Sequence, residues 1–212
     1  MRTLPCAAAL GLAVLLAAPL ASQDLKRPEG WKVRFDRAGS TEAELETFVS
    51  MPPGWHITTG PAGIFWDPAL SAMGEFRAEM EVFLFDPQGR REAFGIFFGG
   101  KDLEGPGQEY AYFVVREGGE FLVKHRRGTD TPTLVEWTGH DAIASFAERG
   151  DDSTAKNVLT VEAGADTVRF LVNGAEVAKL PRSRLPVEGV VGIRVNHALN
   201  LHVSRPEVTP LG

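Results

Sequence analysis

The sequence predicts an all-β protein, an antiparallel sandwich of two sheets, on three observations. Apolar and polar residues alternate in many short runs, and turn residues recur about every 8–12 positions. No helical pattern links the runs as a βαβ unit would require. Asn173-Gly174, set between Thr167–Val172 and Ala175–Leu180, is the sharpest local signal. Both central residues of a type I′ turn need positive φ, which Asn and Gly tolerate, so this pair reads as a hairpin.

The chain opens on a different pattern. Met1-Arg2 precedes an apolar run from Leu4 to Leu20, small residues follow at Ala21-Ser22, and the first carboxylate is Asp24. This is the layout of a secretory signal peptide over 1–22, with cleavage near Ala21–Gln23. Its apolar core is short and Pro-flanked for a membrane span. Cys6, the one cysteine of the chain, lies inside this segment, away from the end where lipid attachment would need it. The remaining residues, 24–212, are cysteine-free and form one domain stabilised by a core rather than by disulfides. The expected location is secreted or periplasmic, and no second apolar run reaches spanning length.

Trp31 to Asp36 alternates and reads as the first strand. Thr41-Glu42-Ala43-Glu44 has the form of a capping box, which predicts one short helix near 41–49, stopped by Pro52-Pro53. Gly54–Gly60 and Gly63–Trp66 read as two short strands. From Glu75 to Phe85, Phe76, Ala78, Met80, Val82 and Leu84 share one face, opposite Arg77, Glu79, Glu81, Phe83 and Phe85. Asp86-Pro87-Gln88-Gly89 turns this strand back into Glu92–Phe98. Tyr110–Arg116 and Glu120–Arg126 form a hairpin about Glu117-Gly118-Gly119, and Thr133–Trp137 is a further strand. Ala142–Glu148 fits a helical turn or a strand equally, and Asp151-Asp152-Ser153-Thr154 is a polar loop. Asn157–Glu162 and Val190–Val195 complete about ten to thirteen strands.

Charge narrows the partners. The chain carries 22 Lys+Arg against 28 Asp+Glu, a net −6, and loses one more positive charge with Arg2. An acidic balance disfavours nucleic acid and anionic membranes, both of which need a basic face. Lys124-His125-Arg126-Arg127, the densest basic run, reads as a solvated strand end.

With the strands laid out, the order of motifs resembles the concanavalin A-like lectin/glucanase superfamily, in particular its laminin-G-like members and the 3-keto-disaccharide hydrolase-type domain. The likeness rests on Gly54-Trp55-His56-Ile57, Phe94-Gly95-Ile96-Phe97-Phe98 leading to Lys101-Asp102, Glu109-Tyr110-Ala111-Tyr112-Phe113, and Phe170-Leu171-Val172-Asn173-Gly174 followed by Gly189–Ile193. It implies a jelly-roll sandwich of two curved sheets whose concave face or rim loops contact glycans. The chain departs from laminarinase-type members, which place their carboxylates as Glu-x-Asp-x-x-Glu. Glu79-Met80-Glu81 lacks the aspartate and the downstream glutamate, although its two carboxylates share a strand face about 7 Å apart. The opening phrase Leu-Phe-Asn-Gly-Lys-Asp-Leu of the keto-disaccharide hydrolase-type domain is also missing.

The candidate sites follow from residue chemistry. Trp55, Trp66, Tyr110, Tyr112 and Trp137 have rings able to stack on sugar C–H faces. Tyr110 and Tyr112 point to one side of their strand and form the expected platform, with Lys101, Asp102 and Arg194 directing hydroxyl contacts. Arg194, Asn196, Asn200 and His202 suggest a polar patch. Asp102, Asp151 and Asp152 are the candidate Ca²⁺ ligands, without the spacing of an EF-hand loop. The histidines show no zinc-site spacing, and no nucleophile elbow or phosphate-binding loop is present. No cofactor is expected beyond a possible structural Ca²⁺.

The expected function is that of an exported, non-catalytic protein that binds a glycan or cell-surface polysaccharide. Two alternatives stand beside it: a glycoside hydrolase or lyase of the same fold using Glu79 and Glu81 on a poly- or disaccharide, and a structural or protein-interaction domain. Oligomeric state has no sequence signal.

Overall fold

A computed structural model of the chain describes residues 26–212, and the expected signal segment with its cleavage point lies outside them. The described residues form fifteen strands in two antiparallel sheets. They are β1 (Lys32–Phe35), β2 (Leu45–Met51), β3 (Gly54–Thr59), β4 (Gly63–Ala72), β5 (Phe76–Leu84), β6 (Ala93–Lys101), β7 (Glu109–Arg116) and β8 (Glu120–Arg127). The remainder are β9 (Thr133–Gly139), β10 (Ala155–Ala163), β11 (Thr167–Val172), β12 (Ala175–Pro181), β13 (Gly189–Val195), β14 (Asn200–Ser204) and β15 (Glu207–Pro210). A seven-stranded sheet runs β1-β4-β13-β6-β7-β8-β9, and an eight-stranded sheet runs β12-β11-β10-β5-β14-β3-β2, with β15 following β14 along the edge of β5.

Period-two patterning explains the core. On β5, Phe76, Ala78, Met80, Val82 and Leu84 are buried and the residues between them are half-exposed, as the alternation predicts. They meet Phe94, Ile96 and Phe98 of β6 and Phe113 and Val115 of β7 between the sheets. Each fully buried Phe among them contributes about 1.5–3 kcal/mol. The Asn173-Gly174 turn has φ of 50° and 83°, the positive values its hairpin needs.

The short helix near 41–49 is smaller than its capping box suggests. Thr41 N–H donates to Glu44 Oε1 at 3.2 Å, closing the box, but only Glu42–Glu44 is helical, as one 3-10 turn. From Leu45 onward, β-branched Thr47 and Val49 and the pairing of β2 with β3 draw the backbone into strand. Ala142–Glu148 forms turns rather than helix or strand.

The seven-stranded sheet is rolled. Asp36, one residue past β1, meets Arg126 of β8 at 3.3 Å. These strands are five spacings apart, about 24 Å in a flat sheet, beyond side-chain reach. The outer face of this sheet is therefore concave. Glycines at its centre permit the close approach: a Cβ on Gly95 would sit 2.2 Å from Phe113 O, and one on Gly192 2.4 Å from Phe65 O.

Candidate functional site

The concave face carries its own apolar floor, with Ile64, Trp66, Phe97, Tyr110, Tyr112 and Val114 in one cluster separate from the main core. Hairpin register sets its basic column. Tyr110 pairs with Arg126 and Tyr112 with Lys124, so both cations stand beside the tyrosines on the same face.

At the edge of this floor lies a buried ion pair. Arg194 donates to both carboxylate oxygens of Asp36, at 2.8 and 2.6 Å, and to Asn196 Oδ1 at 3.1 Å. Arg126 shares Asp36 and makes a long 3.4 Å bond to Gly128 O. Burial works to raise the Asp36 pKa, but the Arg194 hydrogen bonds, with the charges of Arg194, Arg126 and His197, hold it below the usual carboxylate value. Burial likewise opposes the charge on Arg194, yet the Asp36 bonds and the neighbouring groups raise its pKa further above normal. Both groups are thus locked in their ionised forms.

The loops on either side complete an enclosure. Arg34 donates to Leu103 O at 2.7 Å and Gly105 O at 2.6 Å, and Lys32 meets Glu104 at 2.5 Å, so the β6–β7 loop is tied across the face toward β1. Between this loop, the 36–42 segment and the turn at Gly128 is a cavity of about 580 Å³, lined by Arg34, Asp36, Gln108 and Arg126 among others. Three buried polar atoms at the site have no hydrogen-bond partner: Tyr110 Oη, Arg126 Nε and Arg194 Nε.

The tyrosines sit where their strand face predicts but not as the expected platform. Tyr110 is fully buried and Tyr112 is 7 % exposed, because the rolled sheet and the arginines cover their rings. The Arg194 guanidinium carbon lies 5.4 Å from the Tyr112 ring centre and that of Arg126 5.9 Å from Tyr110. No open ring face remains for stacking, and what Tyr110 offers is its hydroxyl. Burial pushes both phenols up, against the pull of the Arg194 charge. Arg126 faces the Tyr110 hydroxyl and pulls its pKa down by charge and by hydrogen-bonding proximity, although no hydrogen bond of good distance and angle is closed between them.

The other expected residues disperse. Lys101 is exposed at the end of β6, and Asp102 turns its carboxylate onto its own loop, accepting from Gly107 N–H at 3.0 Å. Asp151 and Asp152 are on the β9–β10 connection, and among the described residues no group of three or more His, Cys, Asp or Glu is placed to hold a metal. Asn200 and His202 lie on the eight-stranded sheet while Arg194 and Asn196 serve the other one, which splits the expected polar patch. Trp66 is buried, and Trp55 and Trp137 are half-buried, the latter under Arg116 at 4.1 Å.

Glu79 and Glu81 are on the outer face of the eight-stranded sheet, away from the cavity. Glu79 is bound by Arg77 and by Thr160 at 2.7 Å, and Glu81 by Lys156 at 2.8 Å. Burial would raise the Glu79 pKa, but the Thr160 and Arg77 bonds lower it below normal. A general acid for glycoside cleavage needs the opposite shift. Beside Glu81, half-exposed Phe83, Phe85 and His202 line a second depression of about 260 Å³.

Asp36, Arg126, Arg34 and Gln108 were not among the expected site residues. The tyrosine–arginine register is readable from the hairpin, since pairing Arg116 with Glu120 places Arg126 opposite Tyr110. The Asp36 contact has no such local signal.

No family model matches the chain, and no curated protein matches it in sequence. Solved structures do share its fold. The carbohydrate-binding module CBM66 from Bacillus subtilis aligns with a TM-score of 0.60 at 14% identity, over 87% of this chain and 96% of that one. A Bacillus subtilis protein of unknown function with a galectin-like fold gives 0.59 at 10% identity, over 84% and 88%. The Bacteroides ovatus xyloglucan protein GH43B gives 0.54 at 11% identity, over 88% of this chain but only 38% of that one. The fold is therefore the galectin-like jelly-roll sandwich that the concanavalin A-like resemblance implied.

Proposed function

We propose that the protein is an exported, non-catalytic glycan-binding sandwich whose site is the cavity on the concave face of the seven-stranded sheet. The observation that carries this reading is the conjunction of a cavity of about 580 Å³, lined by Asp36 and Arg126, with the fixed Asp36–Arg194 pair at its edge and unpartnered polar atoms on Tyr110 and Arg126 buried behind that lining. Sugar sites combine a shaped concavity with a few directed polar groups, and sugar hydroxyls both donate and accept. The carbohydrate-binding module at 14% identity supports the reading through its fold. Glu79 and Glu81, tied up by cations on the other side of the sandwich, give the hydrolase alternative no acid–base pair.

Glycan-array screening followed by calorimetry tests the assignment. The expected result is binding of at least one glycan, weakened about tenfold or more by Arg126→Gln, the cost of one charge-assisted hydrogen bond. Affinity lost in Phe83→Ala but kept in Arg126→Gln would move the site to the depression on the opposite sheet. No glycan binding at all would remove the function.

A further inference from the structure

The charge around the cavity is lopsided in a way the rest of the molecule is not. The chain is net −6, yet Arg34 and Arg126 line the cavity and Arg194 stands at its edge, with Arg126 and Arg194 sharing one carboxylate, that of Asp36. Neighbouring charges do not correct this. Glu42, the other carboxylate lining the cavity, is taken by Arg27, and Arg37 is matched by Glu44. Arg34 is bonded to two carbonyl oxygens, which satisfy its donors but leave its charge in place. Lys124, half-buried beside Tyr112, has no ion-pair partner among the described residues. Two or more positive charges are left over in a partly dehydrated site, where like charges repel and desolvation is costly.

Resting on the glycan reading above, we propose that the ligand is an anionic sugar, one bearing a carboxylate or a sulfate ester, with the anion seated between Arg126 and Tyr110 Oη. Arg126 is suited to this. Its contacts with Asp36 and Gly128 are long, at 3.3 and 3.4 Å, and its Nε–H is unused, so its fork can donate two parallel hydrogen bonds to a pair of oxygens on a carboxylate or a sulfate ester. Tyr110 Oη is buried behind the Arg126 side chain without a hydrogen bond, and it becomes a further O–H donor where the anion draws Arg126 outward. Lys124 adds a point charge one register step along the column.

The test is calorimetry with three oligosaccharide probes: oligogalacturonate, the same oligosaccharide with its carboxyls reduced to alcohols, and a sulfated galactan oligosaccharide. An acidic probe is expected to bind at least about tenfold more tightly than the reduced one. The difference should shrink as salt rises from about 50 mM to several hundred millimolar. Arg126→Gln should erase most of it, and Lys124→Gln, at a half-exposed unpaired position where folding is not at stake, part of it. The carboxylated and sulfated arms identify which anion is taken. Equal affinity for acidic and reduced probes would overturn the charge assignment while leaving glycan binding intact. Binding of acetate or inorganic sulfate as tight as that of the oligosaccharides would make this a simple anion site and overturn the sugar component. Failure of every probe, acidic and neutral, would overturn both readings.

Discussion

Tyr110→Phe separates a structural from a ligand-contacting role for the concave floor, because it deletes one oxygen and nothing else. The ring is fully buried, packed 5.2 Å from Phe97 and 5.8 Å from Tyr112, and these contacts survive the substitution. The hydroxyl has no hydrogen-bond partner. A buried hydroxyl in that state costs about 1–3 kcal/mol relative to a hydrogen-bonded or hydrated one. Its removal should therefore leave stability unchanged or raise it. For a chain of this size, 1 kcal/mol corresponds to about 2–4 °C in melting temperature, so the variant should melt from 0 to about 10 °C higher. Glycan affinity should move the other way, falling about tenfold if the ligand group is charged. Differential scanning calorimetry and titration calorimetry on the same preparation read both quantities. A melting temperature more than about 2 °C lower would show that Oη is already bonded in the free protein. Unchanged affinity would show that it never touches ligand. Either result would refute the assignment of this oxygen to recognition.

Asp36→Asn should destabilise more than Arg194→Met in chemical denaturation. The first strands a guanidinium with 6 % side-chain exposure, at about 3–5 kcal/mol, whereas the second leaves a carboxylate at 27 % that still has Arg126. The pH dependence has a definite sign. The native pKa of Asp36 is depressed, so its stabilisation is fully present above its unfolded value near 3.9 and is lost as pH falls below that through the native value. The acid limb of unfolding should therefore flatten in Asp36→Asn, and carbon-13 titration of the Asp36 carboxyl in the unaltered protein should report a midpoint below that of an ordinary aspartate. Gly192→Ala should cost at least about 1–3 kcal/mol by overpacking, since the added methyl would meet Phe65 O and the Phe97 ring, at 2.4 and 2.5 Å. A loss under 0.5 kcal/mol on a urea curve would contradict so tight a roll.

Legibility from sequence followed the range of the interaction. The alternation of β5, the Asn173-Gly174 hairpin and the β7–β8 hairpin are encoded within a dozen residues or so, and each is where the pattern put it. The capping box at Thr41–Glu44 was equally local, but the helix it opens was overridden at Leu45 by pairing with β3, a tertiary effect. The two tyrosines were placed on the right face but assigned the wrong exposure. Alternation gives the side of a strand, whereas exposure there depends on how far the sheet curls. That curl depends on close approaches at Gly95 and Gly192 between strands distant in sequence. Asp36 and Arg194 are 158 positions apart, and nothing in their neighbours ties one to the other. Arg126 was submerged in a basic run that reads as solvated until its hairpin partner is considered.

The rolled sheet has a consequence for how recognition and integrity are linked. Asp36 follows a four-residue border strand close to the start of the described chain, while Arg126 comes from the far flank of the same layer. The two converge only once every intervening strand is in place. Sugar capture would then act as a built-in inspection of assembly: proteolytic loss of the leading border strand would silence the molecule even if the remaining core stayed folded.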